Sequence, residues 1–82
     1  MTRDEVLERV RSHLATELEV EPDRIKDDTR FREDLDADSL DLYELVMELE
    51  DTYGIKVSEE EAARIEKVGQ AVDFVLEHVP SA

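Results

Sequence analysis

Apolar residues recur at three- and four-residue intervals along most of this chain, and that helical periodicity is the strongest constraint on its fold. The first stripe runs through Val6, Leu7, Val10, Leu14 and Leu18. Thr2 and Glu5 precede it with the spacing of a capping box, which predicts a helix to about residue 18. No segment shows the alternation of a half-buried strand, so we expect an all-α fold.

The pattern then predicts a long loop and three more helices. Pro22 and clusters of Asp and Arg exclude a long regular element from residues 19–37. The spaced apolar residues that should tie this loop to the core are Val20, Ile25, Phe31 and Leu35. A loop of this length is a hint of function. Asp38 and Ser39 are both good N-caps for a second helix, whose apolar periodicity runs from Leu40 to Tyr53 before Gly54 stops it.

Ser58 and Glu61 form another capping box, for a short helix at residues 59–65. A last apolar stripe, which ends at Pro80, comprises Val68, Ala71, Val72, Val75 and Val79. We therefore expect a small four-helix bundle with a long loop between the first and second helices and a short third helix. The bundle should form a single domain over residues 1–82.

Size and composition exclude several classes of function. A chain of 82 residues builds one modest core, not a deep enzymatic cleft, so we expect that it is not itself an enzyme. The absence of Cys excludes disulfides and thiolate metal sites. Because no run of about 18 apolar residues and no signal-peptide core are present, we expect no membrane span and a cytoplasmic location.

The net charge of −14 is concentrated in residues 33–61, which carry −11 of it. This field repels nucleic acid, so the expected partners are basic protein surfaces, in contacts that weaken with salt. Weak, diffuse binding of divalent cations is also expected, and the expected state is a monomer.

The second helix has two apolar faces. The stripe that suits the core comprises Leu42, Leu45, Val46, Leu49 and Tyr53. Leu40, Tyr43 and Met47 lie on the opposite side, with Glu44 and Asp51 beside them. This second face suits protein docking, because Met adapts its shape and Tyr supplies contact area at little entropic cost. The alternative is that another helix or the loop covers it.

Three interpretations compete for the acidic segment around Ser39. Asp34, Asp36 and Asp38 match positions of a calcium loop, but Ser39 replaces the required Gly and Leu45 replaces the bidentate Glu, so we expect no specific metal site. A catalytic Ser39 lacks a Gly-x-Ser-x-Gly elbow. Both histidines, His13 and His78, are predicted to be solvent-facing on other helices. The third interpretation makes Ser39 a passive acceptor that a basic enzyme modifies, and the plain alternative is an N-cap.

The run Asp34-Leu35-Asp36-Ala37-Asp38-Ser39-Leu40-Asp41, continuing to Glu50, closely resembles the phosphopantetheine attachment site of acyl carrier proteins. Phe31, Ile55-Lys56-Val57, and Val68-Gly69-Gln70-Ala71 also resemble this family. The resemblance implies that Ser39 carries 4′-phosphopantetheine, which a magnesium-dependent transferase takes from coenzyme A. The terminal thiol of the arm would hold acyl chains as thioesters.

The resemblance also assigns roles to neighbouring residues. Asp38 and Leu40 resemble the flanks that the transferase reads. The helix that meets basic patches on partner enzymes would use Asp41, Tyr43, Glu44, Met47, Glu50 and Asp51. Three positions differ from the usual pattern: Tyr43 replaces a smaller aliphatic residue, Asp36 a frequent Gly, and Lys67 a capping Thr.

The sequence is therefore interpreted as a carrier of the dissociated, fatty-acid type, whose apolar stripes could open to shelter an acyl chain. One alternative is a discrete carrier of a polyketide or another specialised acyl pathway. Another is an acidic calcium-responsive or adaptor domain without a prosthetic group.

Overall fold

The computed structural model describes residues 2–79 and contains four α-helices. Their bounds are Arg3–Leu18 for α1, Ser39–Tyr53 for α2, Glu59–Arg64 for α3 and Val68–His78 for α4. The loop between α1 and α2 contains one turn of 3₁₀-helix, Pro22–Arg24. The predicted all-α bundle, with its long first loop and short third helix, is confirmed. The predicted stop at Pro80 lies outside the described residues.

Side-chain caps fix where the helices begin. Thr2 Oγ1 accepts a hydrogen bond from the Glu5 amide at 3.2 Å, which is one half of the predicted capping box. Ser58 and Glu61 make both halves of theirs, with lengths of 3.1 and 3.2 Å. α3 ends at Arg64, one residue before the predicted end.

The start of α4 shows how the chain manages without a capping Thr at Lys67. An ammonium group has no acceptor and cannot cap a helix. Instead, Gln70 Oε1 accepts hydrogen bonds from the amides of Glu66 and Lys67, both at 2.8 Å. Gln70, which lies within the helix, therefore supplies the acceptor that a capping side chain would otherwise supply. The helix α4 begins at Val68.

One hydrophobic core lies between the helices, and α1 packs against both α4 and α2. The fully buried side chains include Val6, Val10, Leu14, Leu45, Val68, Val72 and Val75. Of the predicted loop anchors, Ile25, Phe31 and Leu35 are buried, whereas Val20 is only partly buried. The loop therefore contributes to the core instead of lying over it.

Backbone hydrogen bonds tie this loop to the start of α4. The Phe31 amide donates to the Glu66 carbonyl at 3.0 Å, and the Val68 amide donates to the Thr29 carbonyl at 2.9 Å. Thr29 is the buried polar residue of the core region, and its hydroxyl both accepts from the Lys26 amide and donates to the Arg24 carbonyl. This pairing satisfies backbone groups that burial would otherwise leave without partners.

Gly69 is required at the point where α4 approaches the loop most closely. Its amide donates to the Asp27 carbonyl at 2.8 Å, and a Cβ at this position would lie 2.8 Å from the same oxygen. We expect Gly69→Ala to lower the free energy of unfolding by about 1 to 3 kcal/mol, because a backbone oxygen must shift. Urea denaturation measures this loss.

Ser12→Ala, on the exposed face of α1, is the matched control. Alanine there gains helix propensity without a clash, so stability should stay the same or rise slightly. A Gly69→Ala variant as stable as the parent would show that the contact with Asp27 is not tight.

Candidate functional site

The start of α2 is capped by Asp38, not by Ser39. Asp38 Oδ1 accepts a hydrogen bond from the Asp41 amide, and Asp41 Oδ2 accepts one from the Asp38 amide, both at 3.0 Å. The hydrogen bond from the Asp41 amide is the main reason that the pKa of Asp38 lies below its ordinary value. Of the two caps that the sequence left open, the chain therefore uses Asp38, and Ser39 is the first residue of the helix.

Ser39 is exposed, and its hydroxyl makes no capping bond. Ser39 Oγ instead accepts a hydrogen bond from Nη2 of Arg32 at 3.1 Å. The interpretation of Ser39 as a plain N-cap is therefore wrong. The hydroxyl lies at the surface, where an external enzyme can reach it.

The second apolar face of α2 is open to solvent. Leu40 is 65% exposed, Tyr43 49% and Met47 61%, and these are the exposed large apolar side chains among residues 2–79. The alternative that the loop or another helix covers them is wrong. Three such side chains along one helix form a surface of the kind that proteins use for docking.

The acidic residues of α2 differ in their exposure to solvent and in their contacts. Asp51 is exposed, whereas Glu44 is half-buried. The negative charge of Glu17, on α1, is the main cause that raises the pKa of Glu44. Glu50 Oε2 accepts a hydrogen bond from the Val57 amide at 2.8 Å, so one of its oxygens is engaged within the chain.

Two adjoining grooves lie near Ser39, and Ser39 lines the smaller of them. A groove of about 130 Å³ lies between α2 and α3, and its walls include Ser39, Leu42 and Ala62. A second groove of about 360 Å³ shares Leu42 and Ala62 with it and extends to Phe31 and Ile65 of the core. The two grooves together run from Ser39 to Phe31 and Ile65, and their walls mix apolar side chains with charged ones.

The two histidines occupy different environments. His13 was predicted to face solvent, and this is wrong: it is half-buried, and its Nε2 is buried without a hydrogen-bond partner. His78 is exposed at the end of α4, where its ring stacks on Phe74. The hydrogen-bond partner of the Ser39 hydroxyl is a guanidinium, and a guanidinium is not a general base.

The carboxylates of the acidic segment do not converge. Asp34 Oδ2 accepts a hydrogen bond from the Arg30 amide at 2.8 Å, and Asp38 caps α2. Asp36 has a left-handed backbone with φ of 57°, which Asp adopts more readily than most residues. Within residues 2–79, no group of three or more His, Cys, Asp or Glu side chains is arranged to hold a metal ion. In the same part of the chain, no helix is long and apolar enough to cross a membrane.

Arg32 is the residue at this site that the sequence analysis missed. Its signal was present, because residues 33–55 contain neither Lys nor Arg and Arg32 is the last base before them. Its contact with Ser39 depends on how the loop folds back, which spacing along the chain does not reveal.

Comparisons with known proteins found relatives that match nearly the whole chain. A family model described as the phosphopantetheine attachment site matches residues 8–75. The chain is 46% identical to the acyl carrier protein of Rubrobacter xylanophilus over 78 residues, which cover 95% of this chain and 96% of that protein. It is 45% identical to the acyl carrier protein of Borreliella burgdorferi over 75 residues, with coverages of 92% and 94%. The solved structure of an acyl carrier protein from Enterococcus faecalis has a TM-score of 0.80 and 42% identity, and covers 94% of this chain and 98% of that one.

The assignment of the cap predicts opposite results for two adjacent substitutions. Asp38→Ala should lower the melting temperature by about 4 to 8 °C, because α2 loses its cap, whereas Ser39→Ala should change it by less than about 2 °C. Thermal unfolding followed by circular dichroism measures both. Equal losses in the two variants would contradict the assignment.

The stabilisation that the Asp38 cap provides should depend on pH. The folded chain holds the pKa of Asp38 below its unfolded value, so the ionised cap stabilises the fold above the unfolded pKa, and this stabilisation is lost as pH falls through the folded pKa. The difference between the parent and Asp38→Ala should therefore be full at neutral pH and shrink in acid.

Proposed function

Because the chain belongs to the acyl carrier protein family, we propose that it carries acyl groups as thioesters on a 4′-phosphopantetheine arm attached to Ser39, and delivers them to enzymes of fatty acid biosynthesis. The observation that carries the assignment to Ser39 is its exposed hydroxyl, which takes no part in the cap of α2. The surrounding residues fit the group, because the site is open and a cation adjoins the acceptor oxygen.

The proposed attachment is the transfer of a phosphoryl group that bears the pantetheine arm. Ser39 Oγ attacks the phosphorus that bears the pantetheine part of coenzyme A, and the bond from that phosphorus to the 3′,5′-ADP part breaks. The hydroxyl proton passes to a base of the transferase, and 3′,5′-ADP leaves. The chain contributes an accessible nucleophilic oxygen on a rigid helix, and the transferase contributes the catalysis. The chain itself is a carrier and not the catalyst of this step.

The exposed face of α2 is proposed as the surface that successive enzymes recognise. Leu40, Tyr43 and Met47 supply apolar contact, and Asp51 supplies exposed negative charge beside them. A carrier must leave each enzyme after delivery, so fast docking that is steered by charge suits it better than a large apolar interface. The partners would be the phosphopantetheinyl transferase and acyl-processing enzymes with basic patches. We also propose that the protein is located in the cytoplasm.

The grooves beside Ser39 are proposed to receive the acyl chain. Leu42 and Ala62 offer apolar walls at the entrance, and Phe31 and Ile65 lie farther in. Burial of each methylene group contributes about 0.8 kcal/mol, so short chains already gain from entering.

Attachment to Ser39 is tested by incubation with coenzyme A, magnesium and a phosphopantetheinyl transferase of broad specificity. Intact mass should increase by one phosphopantetheine in the parent and remain unchanged in Ser39→Ala. Ser58→Ala, which removes another exposed helix-start serine, is the control and should be modified. Undiminished modification of Ser39→Ala would refute the assignment. Acylation of the loaded chain by fatty-acid but not polyketide enzymes would define the pathway.

Charge reversal on α2 tests the partner surface. Asp51→Lys and Glu44→Lys should slow association with a basic partner enzyme by about 2- to 10-fold at low salt and flatten its salt dependence. Stopped-flow measurements of association provide both values, and circular dichroism shows that the helices remain.

Glu77→Lys changes the net charge equally but lies exposed on α4, and it should slow association much less. Equal slowing by all three substitutions would mean that net charge, and not the face of α2, governs docking.

A further inference from the structure

The fold of the loop brings Arg32 beside Ser39. Its neighbour Phe31 is fully buried, and the Phe31 carbonyl accepts a hydrogen bond from the Ala37 amide at 2.9 Å. This bond closes the loop so that Arg32 approaches the start of α2. Arg32 Nη2 then donates to Ser39 Oγ at 3.1 Å. The backbone bond thus places residues 32 and 39 near each other, and the contact itself joins two exposed side chains.

Arg32 also differs from Arg30, which precedes it in the same loop. Arg30 pairs with Glu33 at 2.6 Å and lies 3.9 Å from Asp34. Arg32 has no carboxylate partner within 4.0 Å among residues 2–79. A guanidinium has five N–H donors, and a single one of those of Arg32 bonds to Ser39. The remaining donors can bind an anion placed on the Ser39 oxygen.

We propose that Arg32 is a positioning residue for the prosthetic arm: its guanidinium binds the phosphodiester on Ser39 and directs the arm over the groove between α2 and α3. This inference rests on the proposed function. A phosphodiester adds one negative charge to a segment that already carries −11, and Asp38 and Asp41 lie next to it. The planar donors of Arg match phosphate oxygens and offset that repulsion. Arg32 and Ser39 both line the groove, so an arm held at its phosphate starts along it.

The test compares the unloaded and loaded forms of three chains: the parent, Arg32→Gln and Arg9→Gln. Arg9→Gln removes one positive charge from the exposed face of α1 and is the matched control. Each chain is loaded with coenzyme A and a transferase, and loading is verified by intact mass. The melting temperatures of both forms and the ³¹P chemical shift of the loaded form are then measured.

The loaded-minus-unloaded difference cancels any direct effect of a substitution on the fold. In Arg32→Gln this difference should be about 2 to 5 °C lower than in the parent, and the ³¹P signal should move. In Arg9→Gln both should match the parent. Identical differences and shifts in Arg32→Gln and the parent would overturn the inference and leave the proposed function intact, whereas a parent that takes up no arm would refute the proposed function itself.

A second measurement needs no variant. The guanidinium ¹H–¹⁵N signal of Arg32 in the parent chain should shift on loading, while that of Arg9 stays in place. If the Arg32 signal is the same before and after loading, the guanidinium does not bind the phosphodiester.

Discussion

The hydrogen bonds between the long loop and the start of α4 are the constraint on which the functional end of the molecule depends. They hold Phe31 in the core and satisfy the backbone around the buried Thr29. Because Phe31 is fixed, its carbonyl can receive the Ala37 amide, and the chain enters α2 at a defined place. The position of Ser39 therefore depends on contacts made by residues 27–31 and 66–69, which never touch its hydroxyl.

Part of the negative charge on and around α2 is engaged by the backbone of the chain itself. Asp38, Asp41 and Glu50 each accept a backbone hydrogen bond. These carboxylates therefore serve as acceptors for amides at the start of α2 and in the turn after it. Glu44 is different, since Glu17 on α1 repels it and its pKa is raised. The fold thus bears an electrostatic cost at the surface that is proposed for recognition by a basic partner.

Local patterns predicted the helices well, and they predicted the exposed face of α2 because both follow from a 3.6-residue period. The choice between Asp38 and Ser39 as cap was not decided by the sequence, since both side chains can accept the same bond. His13 was placed wrongly because its burial depends on how α1 packs with its neighbours. Arg32 was missed for a related reason, because its contact with Ser39 crosses a folded loop.

At the start of α2, Asp38 caps the helix, while the hydroxyl of the adjacent Ser39 takes no part in the cap. Since the carboxylate of Asp38 terminates the helix, esterification of the neighbouring oxygen removes no bond on which the scaffold relies. The chain without the arm and the chain with it can therefore share one backbone conformation. Enzymes that would install, load or remove the proposed arm would then meet the same helix start at every stage.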